Sequence, residues 1–494
     1  SAIEKAFNKS EREHLDYEIV KTFYLAGLPF NLARNPYFQS TFPYAANHNI
    51  ARYLPPGYNL LRTTLFQKEK ANIDRLCASI RNSWNEKGVS IVNDGWSDSQ
   101  RRPLINFMAV SDGDAMFLKS VDCSGQTKDM HFIYNLLKEV INEVEYTKVV
   151  QVITDNASNY KGAGLIEKEF PSIVWTPCAV HTLNLVVKSY KQLVAIFSLY
   201  FLICYFFLFS ICPAMFSEFV SLKLLSVAET RFASMVIMLK RFKLIKSGIQ
   251  NMVISDKWIL YRDNQQRRAR TVKEKLLDDL WWDSIYYILS FTAPIYDMIR
   301  FCDTNKPSLY LVYDMWDMMI EQVKKAIYYH EVKMVHEESH FFQVVHEILI
   351  DRWDKNNTPL HYLAHALNPK VPPHKDMEIN QERTKCIRKY FPNLEERNKV
   401  NMEYVKFVGK NGDFRDFDSI ENRYAMDPKA LWVLHGACVP MLQTIALRLL
   451  AQLSSSSCAE RNWSTYSFVH SMKRNKMTPK RAKDLVYIHS NLRL

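Results

Sequence analysis

Between Val89 and Trp175 the hydrophobic pattern changes period repeatedly, and the order of those changes restricts the fold more than any other feature of the chain. Val89-Ser90-Ile91-Val92 reads as a short strand. Leu104 to Val110 and Met116 to Val121 read as two more, and the turn residues Asp112-Gly113-Asp114 between them predict a hairpin. The period then lengthens: Phe132/Ile133, Leu136/Leu137, Val140/Ile141 and Val144 recur as one apolar helix face. Val149 to Ile153 is a strand again, a helix follows to about Phe170, and Ile173-Val174-Trp175 closes the series. The order is βββαβαβ, which places the chain in the α/β class.

Carboxylates punctuate this pattern. Asp94 stands in Asn93-Asp94-Gly95-Trp96-Ser97-Asp98 and Asp155 in Ile153-Thr154-Asp155-Asn156-Ala157-Ser158-Asn159, each just after an apolar, β-branched stretch. A third acid, Glu460, lies in Ser457-Cys458-Ala459-Glu460-Arg461-Asn462-Trp463-Ser464, near the C-terminus. Two Asp at strand ends and one Glu on a late helix is how a ribonuclease-H-like fold builds a two-metal site for cutting phosphodiesters. In that fold strands one and four are neighbours, so Asp94 and Asp155 would sit side by side at their C-terminal ends. Two Mg2+ or Mn2+ ions about 4 Å apart would activate the nucleophile, stabilise the leaving oxygen and neutralise charge at phosphorus. Taken singly, each acid reads more simply as a helix cap or surface ion pair, and Asp155-Asn156-Ala157-Ser158 would make a good N-cap. Only jointly, and with the family resemblance described below, do they favour the metal site.

The remainder divides around this core. Residues 1–85 form an N-terminal region, helical where Leu61, Leu65, Ile73, Leu76 and Ile80 recur. Residues 86–190 carry the first part of the α/β core, 191–425 a large, mostly helical insertion, and 426–494 a helical block that completes the core. Within the insertion, Pro359, Pro369, Pro372 and Pro373 mark a loop across 355–380. The final block is expected to be helical from Pro428 to Leu453, across Glu460, and from Pro479 to Leu492. Leu193 to Cys212 disagrees with its surroundings, being nearly continuous Leu, Ile, Phe, Tyr and Val. That length could span a bilayer. We read it as foreign to the fold, such as translated intron, ahead of a buried helix and of a membrane span, since a single span would part Asp155 from Glu460.

Charge and cysteine content point to partners and compartment. A net charge of +12 favours a polyanionic partner, nucleic acid first. The basic run Arg267, Arg268 and Arg270 is a DNA-facing patch or, more simply, a solvated helix face; Lys473, Arg474, Lys476, Lys480, Arg481 and Lys483 pose the same choice. Nine cysteines without a Cys-x-x-Cys pair suggest a reducing compartment, not a disulfide framework. The chain opens on Ser1 with no signal peptide and no initiator Met, which reads as a fragment.

Five ordered blocks resemble the hAT (hobo/Activator/Tam3) superfamily of transposases, especially its plant branch. They are Asp94 to Asp98 with Arg102 to Phe107; Val152 to Asn159; Trp175 to Leu185, holding the Cys178-x-x-His181 signature; Thr230-Arg231-Phe232-Ala233-Ser234, with Phe232 where the family usually has Trp; and Ser455 to Ser464 with Lys483 to Leu494. The last resembles the hAT C-terminal dimerisation region. The resemblance implies a ribonuclease-H-like catalytic core split by a helical insertion, with Asp94, Asp155 and Glu460 as its catalytic and metal-binding acids. Cys178 and His181 are too few for a structural zinc. By the resemblance His181 contacts DNA or a flipped base near the cut, and a satisfied core histidine is the alternative. Arg461 meets a phosphate or serves an ion pair, and Asp98 reads as a turn residue. The implied protein is a nuclear, DNA-acting, metal-dependent transposase, a homodimer or higher oligomer with no membrane attachment. The alternative is a domesticated, non-catalytic nuclear protein that dimerises and associates with DNA. A zinc-finger-type N-terminal domain common in the family has no counterpart in this sequence.

Overall fold

A computed structural model of the chain describes residues 2–48, 50, 52–98, 101–155, 163–189, 213–225, 232–260, 267–372, 376–469 and 478–494. The apolar stretch 193–212, Asn156 to Asn159, Thr230-Arg231 and the basic residues Lys473, Arg474 and Lys476 therefore lie outside the described residues, as do the side chains of Arg267 and Arg268. The chain divides into two units, Ser1–Lys68 and Glu69–Leu494. In the first, helices α1 (Ala2–Ala26) and α2 (Pro36–Asn47) meet through an edge-to-face contact of Phe23 and Phe38. Asn35 caps α2 through the amides of Tyr37 and Phe38, with Pro36 at the first helical position.

The second unit is built on a five-stranded sheet. Helix α3 (Thr64–Lys87) ends at Gly88, whose φ of +61° and closeness to Val150 leave no room for a side chain: an added Cβ would stand 2.4 Å from Val150 Cγ2. Strands β1 (Val89–Ser97), β2 (Pro103–Ser111) and β3 (Asp114–Asp122) follow as an antiparallel meander. The β2–β3 hairpin turns on Asp112 and Gly113, both at positive φ, which two-residue loops require to match strand twist. Between β1 and β2, Asp98 is the expected turn residue: its carboxylate accepts from the Arg102 amide and pairs with the Arg102 guanidinium at 2.6 Å. Helix α4 (Met130–Val144), capped by Asp129, buries Ile133, Leu137, Val140, Ile141 and Val144 along one face.

Strand β4 (Val149–Thr154), helix α5 (Ala163–Glu169), strand β5 (Val174–Pro177) and helix α6 (Ala179–Ser189) complete the series. The strand order is β3-β2-β1-β4-β5, with β1, β4 and β5 parallel. The expected neighbours, strands one and four, are thus paired. Strand β1 is longer than the apolar run predicts. It pairs with β4 only as far as Val92↔Ile153 and then continues along β2 to Ser97, so Asp94 lies inside the strand instead of at its end.

The described part of the insertion is mostly helical. Helices α7 (Ser234–Leu244), α8 (Lys246–Ile254) and α9 (Arg267–Leu276) lead to the long α10 (Asp279–Cys302), and α11 (Val312–His330) and α12 (His340–Asn356) pack beside it. The loop expected across 355–380 is instead interrupted by α13 (Pro359–Ala366), with Pro359 at the first helical position behind a Thr358 cap, where a missing N–H costs nothing. Helices α14 (Met377–Tyr390) and α15 (Leu394–Val408) follow.

The C-terminal block comprises α16 (Phe417–Ala425), α17 (Pro428–His435), α18 (Pro440–Leu450), α19 (Ser457–Val469) and α20 (Pro479–Asn491). The helix expected to reach Leu453 stops at Leu450, and residues 451–456 form a buried, non-helical strap. Its hydrogen bonds explain why burial is tolerated. Ser90 Oγ donates to Gln452 Oε1, Gln151 Nε2 donates to the Leu453 carbonyl, the Ala179 amide to the Ser454 carbonyl, and Ser455 Oγ to the Cys302 carbonyl. At the other edge, Asn491 hydrogen-bonds both backbone groups of Phe117, so α20 satisfies part of β3. Among the described residues no helix is long and apolar enough to cross a membrane.

Candidate metal centre

The strap delivers α19 to the face of the sheet where β4 leaves β1. Asn106 Nδ2 on β2 donates to the Ala459 carbonyl at 2.7 Å, which fixes the backbone immediately before Glu460. Asp94, opposite Asn106 in the register, is 6% exposed. Its Oδ2 accepts from the indole Nε1 of Trp463 at 2.7 Å. Trp463 stands three residues after Glu460 on the same helix face and stacks on Trp96 at 5.1 Å. Burial pushes the Asp94 carboxyl up to about 7; the Glu460 charge adds to this, while His181 and the Trp463 N–H oppose it.

His181 comes from the first turn of α6, directly after β5. Its Nε2 lies 2.9 Å from Glu460 Oε1, its Nδ1 is 3.4 Å from Ser456 Oγ, and its ring meets Phe232 edge-on at 4.9 Å. Burial pulls the imidazole pKa down, but Cys178 and Glu460 outweigh it and hold it well above its ordinary value. Cys178 is fully buried and accepts from the Ser456 amide at 3.2 Å; burial raises its thiol, and the His181 charge more than offsets that. The Cys-x-x-His pair is therefore a junction between α6 and the strap, beside the acids.

One donor atom each from Asp94, His181 and Glu460 lie within 4.8 Å of one another, a spacing able to hold a metal ion. The donor set suits a cation chemically: two carboxylates face each other, and burial first, with its neighbour's charge second, raises the buried one to about 7. Asp155, the residue after β4, lies outside this tightest group but lines the same groove and contributes to the raised Asp94 pKa. The groove, of about 810 Å³, is walled by Trp96, Phe232, Ile237, Arg300 and Asp303.

The three acids named from sequence are thus brought to one groove, and His181 joins them more closely than Asp155 does. Arg461 also lines the groove, where its guanidinium pairs with Asp303 at 2.8 Å and with Asn305, in keeping with the ion-pair alternative. Arg270 is exposed on α9 and does not line the groove. Sequence reasoning passed over Trp463, although its i+3 spacing from Glu460 placed it on the same helix face. Asp303 and the strap serines carried no local signal.

Two family models match the chain. Residues 412–492 match the hAT family C-terminal dimerisation region, and residues 56–199 match a domain of unknown function, DUF659. The first contains Glu460 and Trp463; the second contains Asp94, Asp155 and His181. Together the two matches support a hAT-family transposase-like protein. No curated protein matches it.

Proposed function

We propose that the chain acts on DNA in the nucleus as a hAT-type transposase with a ribonuclease-H-like core, cutting and joining phosphodiesters with divalent cations. The observation that carries this is the meeting of Asp94, Asp155 and Glu460, from β1, the end of β4 and α19, in one groove on a β3-β2-β1-β4-β5 sheet. Asp94 and Glu460 would hold the cation, with Asp155 completing a second position and His181 either joining them as a ligand or holding Glu460 in place. Carboxylate oxygens favour Mg2+ or Mn2+, and a bound ion would supply charge neutralisation and a more acidic water. The protein's own residues do the rest. Trp463 aims Asp94, His181 orients Glu460, and the strap keeps α19 from drifting off the sheet. The C-terminal region supports self-association.

A second reading is a non-catalytic dimerising protein that retains the fold. It is favoured by one observation: His181 and Trp463 already partner Glu460 and Asp94, so the centre is satisfied internally without a cation. Nicking of supercoiled plasmid in Mn2+ separates the two. The transposase reading expects nicking that Asp94→Asn and Glu460→Gln each abolish. A folded, dimeric wild type with no nicking, or nicking unchanged in both variants, would reject it.

A further inference from the structure

We propose that the seam between α7–α8 and α10 is a docking lane for duplex DNA leading into the Asp94–Glu460 groove; this rests on the DNA reading above. Three lysines, Lys240, Lys243 and Lys246, recur at every third position and each is held over a ring of α10. Lys240 Nζ is 3.7 Å from the Tyr296 ring, Lys243 Nζ is 4.9 Å from Tyr286, and Lys246 Nζ lies 5.0 Å from Trp282 and 5.3 Å from Tyr286. A ring face orders a flexible ammonium and still leaves N–H donors pointing away from the ring, so the lysines stay able to bind phosphate oxygens.

Both sides of the seam run into the groove. Ile237 stands one turn before Lys240 and Arg300 one turn after Tyr296, and both line the groove. The Arg300 side chain is 61% exposed. From Trp282 to Arg300 the lane is about 27 Å long, the reach of roughly eight base pairs at 3.4 Å each. A compact anion would fill one position of such a row; a polymer with regularly spaced phosphates fills them all. Asp279, 3.9 Å from Lys246, and the exposed Asp283 and Asp297 lie on the same helix and temper the positive charge. Arg241, bound to the Lys223 carbonyl, adds to that charge.

Fluorescence anisotropy of a short labelled duplex against salt tests this on the full chain. Each phosphate contact contributes about 0.9 to the slope of log affinity against log salt. Replacing Lys240, Lys243 and Lys246 by Gln should make the slope shallower by about 3, and Lys243→Gln alone by about 1, which keeps the test valid if the triple variant misfolds. The same change at exposed Lys399, Lys406 and Lys410 should leave the slope unaltered. An unaltered slope in the lane variants, or an equal loss in the control triple, overturns the lane and leaves the DNA reading standing. A wild type that binds no duplex rejects that reading, and the lane with it.

Discussion

Asp94 is the residue on which the centre's electrostatics turn. Its carboxyl, pushed up to about 7 by burial and by Glu460, holds a proton in the fold that the unfolded chain releases near 3.8. The penalty for ionising it is absent below about pH 4, grows as pH rises, and is complete above about 7. Without added metal, Asp94→Asn should therefore gain stability over wild type at pH 8, by up to about 4 kcal/mol, and none at pH 4. Urea melts at the two pH values check this. A cation must displace that proton and the one on His181, so Mn2+ affinity should fall steeply below neutrality. Trp463→Phe preserves the ring stack on Trp96 but removes the N–H to Asp94. Losing a hydrogen bond to a charged group predicts a loss of about 1–3 kcal/mol and weaker Mn2+ binding, read by calorimetry.

At the level of elements, the strap between α18 and α19 decides whether Glu460 reaches the sheet. Gln452 is fully buried, accepts from Ser90 Oγ at 2.7 Å and donates to the carbonyls of Lys87 and Arg448. Gln452→Ala strands these groups and should cost about 2–4 kcal/mol by chemical denaturation. None of this was legible locally, because Gln452 reads as the end of the helix expected to reach Leu453 and Ser454, Ser455 and Ser456 as the polar break after it, and only tertiary packing buries them. The strands were legible where apolar residues alternate, and so was the Asp112-Gly113 hairpin. The reach of β1 to Ser97 was not, since Asn93, Asp94 and Gly95 break the apolar run while pairing with β2 supplies the backbone partners. Prolines misled at Pro359, which starts a helix instead of marking a loop. Glu460 was placed by its family resemblance, since no periodicity connects it with Asp94 or Asp155.

Across the whole molecule, the 412–492 region completes this chain's own core and, by its match to the hAT dimerisation region, suggests self-association. Leu442, Ile445, Leu449, Trp463 and Tyr466 are buried within this chain, so part of the dimerisation region completes its own core. Phe417 and Tyr424 on α16, with Val433 and Leu434 on α17, are 61–73% exposed, and these are apolar side chains that we propose meet a second subunit. Val433→Glu with Leu434→Glu should weaken self-association at least tenfold in sedimentation equilibrium while leaving the melting temperature of the subunit nearly unchanged, as expected for charges placed in an apolar interface.

The central claim is that acids from distant parts of the chain converge on a cation. A manganese thermal-shift titration of the full chain, with Asp155→Asn and Glu460→Gln beside it, tests this most directly. Saturable stabilisation of a few degrees at about a hundredfold excess over the dissociation constant, lost or strongly reduced in both variants, is the expected result. A folded wild type that shows no shift, or variants that shift as much as wild type does, would contradict it.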